Sequence, residues 1–76
     1  MTIAEFTSQF EELLMLGKGQ LTPDFVLKDS MNWDSMAIIE TISLIDDHLD
    51  IEISTERLIG CKTFGDILNL LRDKLN

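Results

Sequence analysis

At 76 residues, with 45% hydrophobic and 26% charged side chains, the chain is long enough for one small folded domain and too apolar for a disordered acidic tail. A domain of this size fills its interior with side chains and leaves little room for a deep substrate cavity, which argues against an enzyme. Fourteen acids against six bases give a net charge of −8, which disfavours nucleic acid and anionic membranes as partners and suits basic protein surfaces.

Helical spacing begins at once. Thr2 with Glu5 three residues later has the form of a capping box, and Ile3, Phe6, Phe10, Leu13 and Leu14 then recur along one stripe. This first helix is expected to reach about Leu16, with Gly17 and Gly19 ending it. From Gly17 to Trp33, with Pro23 inside, no period persists, so a long loop is expected, pinned down by Leu21, Phe25, Val26, Leu27 and Met31. A second helix opens at Asp34 or Ser35 and runs to about His48. At about 100° per residue, Ile38, Ile39, Ile42, Ile45 and Leu49 form its buried face. The opposite stripe carries Met36, Glu40, Ser43 and Asp47, with Ala37 and Leu44 beside it, a mixture of acids and apolar groups suited to contact with a partner.

Ile51, Glu52 and Ile53 alternate like a strand but have no second strand to pair with, so they read as an extended connection. Ser54 or Thr55 caps a short turn of helix through about Gly60, and Thr63 with Asp66 opens the last helix. There Ile67, Leu68, Leu70, Leu71 and Leu75 form the buried stripe, with Arg72 and Lys74 near the C-terminal end. The expected fold is all-α: a small four-helix bundle of three long helices and one short, in a single domain over residues 1–76.

The charge is concentrated in one window. Asp29 to Glu56 holds eight carboxylates and no Lys or Arg, while the remainder balances six acids against six bases. Inside that window Ser35 stands at a helix start, where unpaired N–H groups and the positive end of the helix dipole suit a phosphate carried on the hydroxyl. His48 among Asp46, Asp47 and Asp50 reads as a solvated cluster, and no metal is assigned. Cys61, the single cysteine, reads as a small buried residue and implies a reducing compartment; with neither a leader nor a spanning segment seen, a cytoplasmic protein is expected. The phenylalanines at 6, 10, 25 and 64 are expected in the core, and Trp33 at its rim.

The sequence resembles the acyl carrier and peptidyl carrier protein family. The family's Asp-Ser-Leu core reads Asp34, Ser35, Met36 here, with Glu40 one turn on. Without a gap, Asp46 to Ile53 follows the family's acidic run, Phe-Gly and Ile-Glu-Ile, and Thr63 to Ile67 follows its Thr-Val-Gly-Asp opening of the last helix. Asn32 and Asp50 stand where the family favours glycine, both residues that tolerate the left-handed region, and Trp33 places a large ring directly before the motif. Taken alone, the Asp34–Ser35 pair reads as an ordinary helix cap; the downstream match turns it toward a modification site.

The resemblance implies a carrier with no catalytic residue of its own, holding an acyl or aminoacyl group as a thioester on a 4′-phosphopantetheine arm attached to Ser35. Asp34 would cap the helix and meet the phosphopantetheinyl transferase that installs the arm; Trp33, a departure from the family pattern, reads as a rim residue, with contact to the arm or its cargo as the alternative. Acyl-loading and acyl-processing enzymes with basic surfaces would dock on Met36, Glu40, Ser43, Leu44 and Asp47. The expected state is a monomer serving a specialised pathway. The competing reading is an acidic helical inhibitor or immunity-type protein that covers a basic enzyme surface and is indifferent to Ser35.

Overall fold

The computed structural model describes residues 1–75. They form α1 (Ile3–Leu13), α2 (Ser35–Leu49), α3 (Thr55–Ile59) and α4 (Phe64–Leu71), with one 3₁₀ turn at Leu27–Asp29 in the long first loop. As expected, three helices are long and one is short.

The Thr2–Glu5 capping box closes α1 at its start, with the Thr2 N–H donating to the Glu5 carboxylate at 2.9 Å and the Glu5 N–H to the Thr2 hydroxyl at 3.0 Å. The helix ends earlier than its periodicity suggests, at Leu13, and Met15 already lies in the left-handed region at φ 59°. The cause is Glu11. Its carboxylate, only 5% exposed, accepts the N–H groups of Gly19 at 2.8 Å and Leu21 at 3.1 Å, which folds the following turn back onto the last turn of α1.

The first loop is held by the connection between α3 and α4. Val26 and Thr63 form an isolated antiparallel bridge, flanked by bonds from the Leu27 N–H to the Lys62 carbonyl (2.9 Å) and from the Phe64 N–H to the Phe25 carbonyl (3.0 Å). The Gly65 N–H donates to the Pro23 carbonyl at 2.8 Å, and a Cβ at Gly65 would meet that same oxygen at 2.8 Å, so only glycine admits this approach. Leu21 and Leu27 are buried and Phe25 and Val26 partly so, but Met31 is 98% exposed and pins nothing.

Phe6 and Phe10 of α1 meet Phe64 of α4 at the centre of the core, with ring centroids 6.0 and 5.2 Å from that of Phe64. All three are almost fully buried, each contributing about 1.5–3 kcal/mol of apolar transfer free energy. Phe25 lies at the edge of this cluster. Along α4, Ile67 and Leu71 are buried and Leu68 and Leu70 partly so, while Leu75 is buried beyond the helix end. Because α4 stops at Leu71, Arg72 is its cap and Lys74 falls outside it. Ile51–Ile53 is a connection without regular secondary structure, Ser54 caps α3 through the Arg57 N–H, and Thr63 and Asp66 form the second capping box.

The buried face of α2 differs from the expected one. Ala37, Thr41, Ile45 and Leu49 are buried, Ile38 and Ile42 flank them half-buried, and Ile39 is 60% exposed. Ile39 lies about 160° round the helix from Thr41, on the far side from the core. Thr41 enters the core because its hydroxyl donates to the Ala37 carbonyl at 2.7 Å, which removes the cost of burying it. Ala37, expected beside the exposed stripe, is therefore a core residue.

Candidate functional site

Three contacts fix the start of α2 against the rest of the fold. The Asn32 side-chain amide donates to the Leu14 carbonyl at 2.9 Å, filling an open acceptor at the C-terminal end of α1. The Trp33 ring, half-buried, packs tilted against Phe10 with centroids 5.8 Å apart. The Asp34 carboxylate accepts the Ala37 N–H at 3.0 Å as the N-cap of α2. Asn32 does this with an ordinary negative φ; the left-handed positions are Met15, Gly19 and Asp50, the last being the α2 C-cap at φ 55°. No helical or strand period marks Asn32, so sequence reasoning reached it only as a possible turn residue.

Ser35 is the first residue of α2 and is exposed. The first intrahelical bond begins at the Ile38 N–H, which donates to the Asp34 carbonyl at 3.0 Å, and Asp34 takes the Ala37 N–H through its side chain. The N–H groups of Ser35 and Met36 therefore stand at the open end of the helix, beside the Ser35 hydroxyl. A phosphodiester on that hydroxyl would meet backbone donors and the positive end of the dipole, with no side chain required to move. The residues fit such a group: a small exposed hydroxyl, a capped helix behind it, and a preceding turn anchored to α1.

The expected docking stripe is on the surface, with two changes. Met36 is 65% exposed and Glu40, Ser43 and Asp47 are exposed, whereas Leu44 is half-buried. Ile39 joins the stripe, and together with Glu12 and Leu13 of α1 it borders a shallow groove of about 470 Å³ between α1 and α2. Apolar groups are thus ringed by carboxylates. Cys61 is 8% exposed, its thiol donating to the Arg57 carbonyl at 3.4 Å, and burial pushes its pKa up, so it is a poor nucleophile. Among the described residues no helix is long and apolar enough to cross a membrane.

The family model for the phosphopantetheine attachment site matches residues 4–71, from the second residue of α1 to the end of α4. The chain is also similar to the acyl carrier protein homolog of Mycoplasmopsis pulmonis (strain UAB CTIP), with 33% identity over 63 residues covering 83% of this chain and 85% of that protein. The chain belongs to the phosphopantetheine-attachment family of acyl carrier proteins. It is a carrier and not itself an enzyme, its cofactor is covalently attached 4′-phosphopantetheine, and it works with biosynthetic enzymes.

Proposed function

We propose that Ser35 is the attachment point of the arm and that Met36, Ile39, Glu40, Ser43, Leu44 and Asp47 form the surface on which partner enzymes dock. The observation that carries the first part is the exposed Ser35 hydroxyl at the open, capped start of α2. When attached, the arm supplies a terminal thiol that holds the acyl group as a thioester. The chain's own residues hold the anchor still: Asn32 ties the turn to α1, Trp33 packs on Phe10, and Asp34 closes the first turn. Asp34 and the acid around it also supply charge for a phosphopantetheinyl transferase and other partners with basic surfaces. The carrier acts as a monomer in the cytoplasm, in a dedicated pathway; Trp33 beside the anchor and Met31–Asn32 before it support that specialisation.

The test is to incubate the chain with coenzyme A and a promiscuous phosphopantetheinyl transferase and to measure intact mass. One added phosphopantetheinyl group that disappears in Ser35→Ala is the expected result. No gain, or a gain that persists in Ser35→Ala, overturns the assignment.

A further inference from the structure

Beside the anchor a second cleft, of about 410 Å³, opens between the first loop and the α3–α4 connection. Val26, Trp33, Ile59 and Cys61 give it apolar walls, and Lys28 and Lys62 stand on its lining with exposed side chains. Its volume lies in the range of small-molecule sites. Trp33 is two residues from Ser35, so their Cα atoms are within about 7 Å of each other, and a group tethered to Ser35 reaches the cleft without any helix moving.

The charge on this cleft is anomalous for this chain. Two of the six basic residues border it in a protein of net charge −8. The nearby carboxylate of Asp66 accepts the backbone N–H groups of Lys62 (2.9 Å) and Thr63 (3.1 Å) in the capping box and also attracts the Lys62 ammonium, which offsets part of that charge. A plain alkyl cargo would gain from the apolar walls and nothing from two ammonium groups, whose hydration it would disturb. An anionic cargo would be repelled by most of the surface and attracted here. Resting on the carrier reading, we infer that the cleft seats the tethered acyl group and selects one that ends in a free carboxylate, with Lys28 and Lys62 as the specificity-determining residues and Trp33 as the wall against its methylene groups.

The test loads Ser35 with glutaryl- or pentanoyl-phosphopantetheine from the corresponding coenzyme A thioesters, confirms loading by intact mass, and measures acrylamide quenching of Trp33, the only tryptophan. Trp33 should be better shielded with the glutaryl group, and Lys28→Gln with Lys62→Gln should shift the seated-to-free ratio of that group alone by about two- to fivefold, the range for exposed charge pairs. High salt should diminish the glutaryl advantage in the wild type. Equal shielding by both cargoes overturns the inference while leaving the carrier reading intact. Equal loss for both cargoes in the lysine variants also overturns it, because the lysines would then serve the arm's phosphodiester. Failure of loading itself removes the carrier reading and the inference with it.

Discussion

Replacing Asp34 by alanine separates the structural role of the residue before Ser35 from the recognition role proposed for it. The substitution removes one side-chain bond, from the Ala37 N–H at 3.0 Å, and one negative charge from the positive end of α2. Loss of an N-cap costs about 1 kcal/mol, and loss of the charge adds about 0.3 kcal/mol or more at such an exposed site. A destabilisation of about 1–1.5 kcal/mol in a domain of this size lowers the melting temperature by about 5–10 °C. Asp34→Asn and Asp34→Ser keep a capping acceptor without the charge, so both should melt within a few degrees of wild type. Thermal unfolding followed by far-UV circular dichroism measures this, and kcat/KM for transfer of the arm to each variant measures recognition. If Asp34→Ala melts with the wild type, the cap contributes nothing and the account of how α2 begins is wrong. If Asp34→Asn accepts the arm as fast as wild type while Asp34→Ala does not, the transferase reads the capped geometry and not the charge.

Two further outcomes follow from buried and capping carboxylates. Glu11→Ala should leave the Gly19 and Leu21 N–H groups without their acceptor; since Leu21 is buried and Gly19 can reach water, the expected cost is about 2–3 kcal/mol, with loss of amide-exchange protection at Leu21 as the local readout. Retained protection at Leu21 would refute the role given to Glu11 in ending α1. The backbone N–H groups of Lys62 first, and then of Thr63, hold the Asp66 pKa below the usual aspartate range. A group depressed in the folded state stabilises above its unfolded pKa, about 3.9, and that stabilisation is lost as pH falls through the lower folded value. The melting-temperature difference between wild type and Asp66→Ala should therefore shrink as pH is lowered from about 4, and a difference constant over that range would contradict the capping-box account.

Local signals carried much of this protein. Thr2–Glu5, Asp34, Ser54 and Thr63–Asp66 all cap as their short-range patterns indicate, because capping joins a side chain to N–H groups two or three residues away and needs no other part of the fold. The same holds for Asp50, whose left-handed conformation closes α2 as its residue type allows. Ser35 was legible for that reason too: its exposure at a helix start depends on little more than the residues on either side.

What tertiary structure decided concerns direction and long-range contact. Periodicity established that α2 has an apolar face but not its centre, since four isoleucines within eight positions spread over more of the helix than a neighbouring surface can cover. Contact with α1 and α3 selected the Ala37–Thr41–Ile45–Leu49 face, sending Ile39 outward into the proposed docking stripe. The end of α1 was set by Glu11 capturing amides eight and ten residues away, and the mounting of the turn before Ser35 by Asn32 reaching Leu14 across eighteen. Likewise Lys28 and Lys62 come to one cleft only because the first loop pairs with the α3–α4 connection. In each case the deciding interaction joins groups remote along the chain, so it arises only once the helices have packed.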